Sequence, residues 1–363
     1  MVNRNRMAES RSQGFQAGRE SGFRMGRCQF ALDTCYPAPI PLREASVLFI
    51  VQGIFDAIDN GIIHGLQQTV RVAYTATAAD MLRLANELKP NLVLVMNGLH
   101  VFPDDHANHV DQVRQMGIRT AIWFADDPYF TDPSAVLAPH YDYVFTHELS
   151  CVPFYQGIGC AQVHYLPLAA NPTVFKPQHI SPDYQSDICF IGTGFPNRIT
   201  LFNELTPYLI GRKVVIAGGL WDRLDHFALL QQGIKLQGVT VEESVKYYNG
   251  AKIVLNIHRL TYDETYNKNS RNIPGNSINP RTYEIAGCGT LQITDYRQDL
   301  EQHYRSGHEI ETFRHPAELV HKINHYLIHE EERLRIAVNG LRRTRMEHSF
   351  SARLVKLLDI IFV

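Results

Sequence analysis

The chain has 363 residues, 45% of them apolar and 20% charged, with a formal net charge of −2 at pH 7. That is an ordinary globular balance over a length that predicts two domains of ~150 residues each, and it excludes a general attraction for nucleic acid or anionic lipid. No apolar run reaches the ~18 residues of a membrane span and none follows the basic N-terminus, so the expectation is a cytoplasmic protein without a membrane partner.

Residues 1–44 form an arm unlike the rest. Gly14, Gly18, Gly22 and Gly26 recur every fourth residue and line one face of a predicted helix. Met25, Phe30 and Leu32 extend its apolar face, and the expectation is a helix lying on the body or on a second copy, a route to a homo-oligomer. Tyr36-Pro37-Ala38-Pro39-Ile40-Pro41 stops it.

From Ser46 strands and helices alternate. Apolar strands are predicted at 47–51, 70–74, 92–96, 119–124, 143–145 and 163–166, and Thr77-Ala-Ala-Asp80 opens a helix as a capping-box variant. Pro167, Pro172, Pro177 and Pro182 mark a linker. The pattern restarts with strands at 188–191, 214–217, 234–236, 253–257 and 291–294, with helices opened by Thr240 and by Asn279-Pro280. From Pro316 onward the chain is mostly helical. Continuous apolar strands between helices predict parallel sheets covered on both faces, an α/β fold of two doubly wound domains whose strand ends share a cleft. The six scattered cysteines contain no CxxC pair and read as reduced, mostly buried thiols.

Two segments carry chemistry. Ile191-Gly-Thr-Gly-Phe-Pro-Asn-Arg198 follows the first strand of the second domain. There Gly192, Thr193 and Gly194 offer backbone N–H groups, and a helix starting near Asn197 and Arg198 suits a phosphate. The next strand ends in Gly218-Gly219, with no acid for a ribose, so this is not a dinucleotide fingerprint. Later, Leu255-Asn-Ile-His258-Arg259 precedes a long polar loop and the capped helix Asn279-Pro-Arg281-Thr282-Tyr-Glu284-Ile-Ala-Gly-Cys-Gly289. Arg281 and Glu284, three apart, share a helical face, where the cation suits a diphosphate and the carboxylate suits ribose hydroxyls.

This second segment resembles the nucleotide-binding region of the CgeB-like (spore maturation protein) branch of GT-B glycosyltransferases, in an N-x-R-x-x-E-x-x-x-x-G pattern carried by Asn279, Arg281, Glu284 and Gly289, with an apolar strand ending at Asp295. Leu166–Pro177 and Trp123–Pro128 also resemble that branch. The resemblance implies a GT-B fold with an acceptor-side domain at 45–170, a linker at 171–186, a donor-side domain at 187–340 and a C-terminal helix at 341–363 that packs back on the first domain. It implies a UDP- or dTDP-linked sugar donor, held by Gly192, Thr193, Gly194, Asn197, Arg198, Gly218, His258, Arg259, Asn279, Arg281, Thr282 and Glu284. It also implies no metal and no further cofactor, and a role in spore-surface glycosylation. In the wider GT-B group an acid commonly stands seven residues before the one at Glu284; here the residue is Ser277.

Transfer needs a base for the acceptor proton. His100, Asp126 and Asp127 follow strands of the first domain, and the two adjacent acids of an extended chain point to opposite sides, so one faces the cleft while the other caps the turn before Pro128. The acceptor is a glycan, protein or small molecule. Two other classes stay open: a non-catalytic protein of a spore or cell surface, and a sugar-nucleotide epimerase.

Overall fold

The computed structural model describes residues 2–362, with side chains from residue 11 onward apart from 13 and 17. The chain opens with α1 (Val2–Asp33), which ends just before the Tyr36–Pro41 stretch. It continues through β1 (Arg43–Ile50), α2 (Asp56–Thr69), β2 (Val70–Ala76), α3 (Met81–Leu88), β3 (Leu92–Met96), α4 (His106–Gln115), β4 (Arg119–Phe124), α5 (Thr131–Leu137), β5 (Tyr143–Thr146), α6 (Cys151–Gly157) and β6 (Val163–Tyr165). These strands form one six-stranded parallel sheet in the order β2-β1-β3-β4-β5-β6. Every residue of β3, and every residue of β4 after Arg119, is buried, as a sheet covered on both faces requires.

The second domain runs β7 (Ser186–Ile191), α7 (Pro196–Leu209), β8 (Val214–Ala217), α8 (Phe227–Leu230), β9 (Ile234–Lys235), α9 (Val241–Gly250), β10 (Ala251–Asn256), α10 (Pro280–Gly287), β11 (Leu291–Asp295), α11 (Leu300–His303) and β12 (Glu311–Phe313), followed by α12 (Pro316–Ile328), α13 (Glu330–Glu347) and α14 (Phe350–Ile361). Its six strands are also parallel, in the order β12-β11-β10-β7-β8-β9. The expected pair of Rossmann-like domains is present. The strand order reverses between β1 and β3 in one sheet and between β7 and β10 in the other. A crevice opens at the carboxyl ends of the strands at each such point, which is where open α/β sheets take ligands.

The return of the chain to the first domain has a visible cause. Phe350 and Leu354 of α14 lie over Gly61 and Gly65 of α2, where a larger residue would collide with them. The expected boundary at residue 340 falls inside α13, so the second domain extends to Glu347 and only α14 crosses back.

Other expectations need correction. The arm is helical, but its glycines do not pack: Gly14, Gly18, Gly22 and Gly26 have open space beside them. The face against the body is Arg24, Cys28, Ala31 and Leu32, set on Val338 and Leu341 of α13, while Phe30 is exposed. Thr77 does not cap a helix. Its hydroxyl bonds the Asp80 carboxylate, and one 3-10 turn intervenes before α3. Strand β12 was not foreseen, because three residues are too few to show a pattern. Thr240 and Asn279 do cap their helices, accepting from the amides of Glu243 and Thr282 at 3.2 and 3.1 Å. Among the described residues, no helix is long and apolar enough to cross a membrane.

Candidate active site

The β7/β10 crevice gathers three arginines. Arg198, on the first turn of α7, is buried and donates Nε and Nη2 to the Ile257 carbonyl at 2.9 and 2.6 Å and Nη1 to the Thr193 carbonyl at 2.9 Å. Burial, then the nearby Arg281 charge, pull its pKa down to about 9. Arg259, just past β10, stacks on Phe195 of its own domain at 4.4 Å and on Tyr129 of the other at 5.0 Å. One of its terminal nitrogens bonds the Tyr266 carbonyl, and its buried Nε has no partner. Arg281 uses Nε on the Tyr248 hydroxyl at 3.2 Å. None of the three forms an ion pair among the described residues. The Glu284 carboxylate makes no hydrogen bond among the described residues, and enclosure pushes its pKa up to about 7 against the opposing pull of Arg281.

Several residues expected to touch a ligand are engaged internally. The Gly192 and Gly194 amides donate to the carbonyls of Ala217 and Gly219, both at 2.8 Å, which leaves the Thr193 amide without a bond among the described residues. Gly218 is glycine because its Cα abuts the Gly192 carbonyl, so it packs the strand ends together. Asn197 ties α7 to the His258 carbonyl at 2.9 Å and leaves its buried Oδ1 unpartnered. His258 is buried; its ring bonds Asp295 through Nδ1 at 2.7 Å, and Nε2 accepts the Asn279 amide at 3.0 Å. Asn279 caps α10 and donates to Asn256 at 3.0 Å, and Thr282 is sealed behind it. His258, Asn279 and Thr282 therefore aim α10, while the terminal nitrogens of Arg281 and the Glu284 carboxylate carry no hydrogen bond among the described residues.

Opposite stands the carboxyl edge of the first sheet. Asn97 and His100 both adopt left-handed backbone, with φ of 60° and 63°, in the loop after β3. Both serve Asp126: Asn97 Nδ2 donates to Oδ2 at 2.8 Å, and His100 Nε2 meets the same oxygen at 2.7 Å. Oδ1 carries no hydrogen bond among the described residues, and the side chain is 18% exposed. Asp127 faces the other way. Its carboxylate is buried against the Thr146 and Tyr155 hydroxyls at 2.6 and 2.8 Å, and burial raises its pKa to about 7. The two acids point to opposite sides as expected, but Asp127 does not cap the turn before Pro128: its carboxylate lies inside the domain on Thr146 and Tyr155, which removes it from the catalytic candidates.

Sequence reasoning missed His147 and Glu148, which follow β5 as Asp126 follows β4. His147 is buried, and neither ring nitrogen has a hydrogen-bond partner among the described residues. Glu148 reaches across to the amides of Asn276 and Ser277. The signal that flagged Asp126, a polar residue directly after an apolar strand, applied equally to both.

Comparison with known proteins bears on the family and the fold. Residues 198–359 match the family described as Glycosyl transferase-like. Spore protein CgeB of Bacillus subtilis (strain 168) is 30% identical over 286 residues, covering 78% of this chain and 86% of that protein. Among solved structures, HepE of Anabaena in complex with UDP and glucose superposes with a TM-score of 0.59 at 10% identity, covering 88% of this chain and 99% of that one. Sucrose-phosphate synthase of Thermosynechococcus elongatus gives 0.57 at 11%, covering 88% and 98%.

Proposed function

Because the chain belongs to the CgeB-like family of GT-B glycosyltransferases, we propose that it transfers a sugar from a nucleoside diphosphate donor, UDP- or dTDP-linked, to a hydroxyl acceptor without a metal. The observation that carries this reading is the set of three guanidiniums, Arg198, Arg259 and Arg281, gathered at the β7/β10 crevice with no carboxylate paired to any of them among the described residues. Partly buried cations without a directly paired carboxylate are costly, and a diphosphate supplies such a partner in bidentate form. Arg281 and the Thr193 amide hold its oxygens, while Arg198 and Arg259 set the potential around them. Glu284 accepts from the ribose hydroxyls. The UDP option draws on the UDP bound to HepE, whose fold this chain shares.

In the reaction the acceptor oxygen attacks the anomeric carbon and forms the new C–O bond. The bond from that carbon to the diphosphate oxygen breaks, and the leaving group keeps the electron pair. Charge building there is stabilised by the arginines. The acceptor proton passes to Asp126 Oδ1, whose other oxygen is held by Asn97 and His100.

A thermal-shift panel of UDP, dTDP, GDP, ADP and CMP tests the donor. A ligand at ~100 times its dissociation constant adds ~2.7 kcal/mol to the folded state, which is readily seen. A selective shift by UDP or dTDP that survives EDTA is expected, and no shift from any nucleotide overturns the donor assignment.

A further inference from the structure

The other topological switch point, between β1 and β3, holds a cavity. It measures about 490 Å³ and lies between the ends of β1 and β2, the loop after β3 and the first turns of α4. Val51, Ala78, Ala79, Val101 and Pro103 make its wall largely apolar, and Gln52, Thr77, Asp105 and His109 are its polar members, the Thr77 hydroxyl being held by Asp80. Gln52 is 1% exposed, and its Nε2 donates to the Leu99 carbonyl at 2.8 Å. That bond fixes the amide orientation and leaves Oε1 as a buried acceptor with no partner among the described residues. His109 lies 3.4 Å from Asp105 through Nε2, and its buried Nδ1 is likewise unpartnered. Ile54 and Val101, beside the cavity in the chain, remain 49% and 57% exposed. His100, the residue before Val101, meets Asp126 at 2.7 Å, so the loop that walls the cavity also carries a partner of the candidate base.

We infer that this cavity binds the acceptor, and that the acceptor is a small hydroxylated aromatic or aliphatic molecule rather than a free sugar. Its chemistry, though not its binding, rests on the transferase reading above. A free sugar presents hydroxyls on every side and needs a polar partner for most of them. An apolar wall with two unpaired polar atoms instead matches an apolar body carrying one or two O–H donors. One hydroxyl satisfies Gln52 Oε1 while the reacting one turns towards Asp126, loses its proton there and bonds the anomeric carbon as the diphosphate departs.

The test is a fluorescence titration of the full chain with 2-naphthol, with methyl glucoside as polar control, alongside the UDP thermal shift. We expect 2-naphthol to bind, methyl glucoside not to, and Ala79→Phe, at an exposed position lining the cavity, to weaken 2-naphthol at least tenfold while the UDP shift stays. Gln52→Leu is expected to weaken 2-naphthol several-fold and to spare 2-methylnaphthalene, which lacks the hydroxyl. No 2-naphthol binding to the unaltered chain, or equal binding to Ala79→Phe, overturns the acceptor assignment. Loss of the UDP shift in the unaltered chain overturns the donor reading alone.

Discussion

Oε2 of Glu148, in the first domain, accepts the amide of Ser277, in the second, at 3.0 Å. Its two oxygens also take the Asn276 amide, both at 3.1 Å, and Oε1 takes Ser150 N at 2.9 Å, while the Ser277 hydroxyl accepts Leu149 N at 2.9 Å. Position 277 is where the resemblance leads one to expect an acid, and here it is spent on joining the domains. The loop after Arg259 adds to the join: Asp132 accepts Ser270, and the Lys268 amide donates to the Tyr129 carbonyl at 2.8 Å. Opening the cleft about the proline linker therefore means breaking these bonds as well. Glu148→Ala leaves three amides unpaired at a cost of ~1–3 kcal/mol each where they stay buried. We expect a melting temperature lower by several degrees and a larger radius of gyration by X-ray scattering. An unchanged value of both would show that the contact does not latch the domains.

The adjacent acids predict opposite phenotypes. Asp126→Asn keeps the size of the side chain but removes the base, and kcat should fall about 10²- to 10⁴-fold with little change in donor KM. Asp127→Asn alters a group buried inside the domain against the Thr146 and Tyr155 hydroxyls, and kcat should stay within a few-fold. Steady-state kinetics of both variants decide it. Equal losses would mean that Asp126 acts through structure and not as base.

Asp127 also predicts a pH dependence of stability. Burial raises its pKa to about 7, whereas the unfolded chain titrates it in the ordinary carboxylate range. Between those values the folded state holds a proton that the unfolded state has lost. Its contribution is thus full at low pH and is lost as pH rises through about 7, by on the order of a few kcal/mol. His106, lowered to about 4 by burial, runs the other way, its contribution growing as pH rises from there to the ordinary histidine range. The informative quantity is therefore the difference between the unaltered chain and Asp127→Asn. Melting curves from pH 5 to 8 should show the variant gaining relative stability as pH rises. Parallel curves would mean that the carboxyl is ionised in the folded state throughout.

The strands were legible because a parallel sheet buried on both faces leaves unbroken apolar runs: β3, β4 and β8 span the residues that composition alone indicates. Helix α10 was legible through its cap, Asn279, and its first-turn Pro280. The site was legible only as a neighbourhood. Strand ends and helix starts mark the crevice, yet whether a polar side chain there faces a ligand or the interior depends on partners distant in the chain. His258 turns inward because Asp295, 37 positions later, accepts its ring proton. Gly192 and Gly194 spend their amides on the end of β8, a pairing with no local signal. The arm misled for a related reason: its glycine period is regular, but the packed face is chosen by α13, which contributes Leu341 opposite Cys28 and Ala31.

Arg281 offers the most direct test of the phosphate site. It stands on the first turn of α10, where the helix N-terminus adds positive potential, and only its Nε is engaged, on Tyr248. Arg281→Ala removes a cation whose terminal nitrogens are unbonded among the described residues, so the fold loses little while the departing diphosphate loses its nearest counter-charge. We expect kcat/KM to fall ~100-fold or more, equivalent to ~3 kcal/mol of transition-state stabilisation, with the melting temperature nearly unchanged. Arg281→Lys should recover part of that loss, since a point charge keeps the attraction but not the fork geometry. Turnover at the unaltered rate in Arg281→Ala would remove this helix from the phosphate site and leave Arg259, stacked between Phe195 and Tyr129, as the cation facing the leaving group.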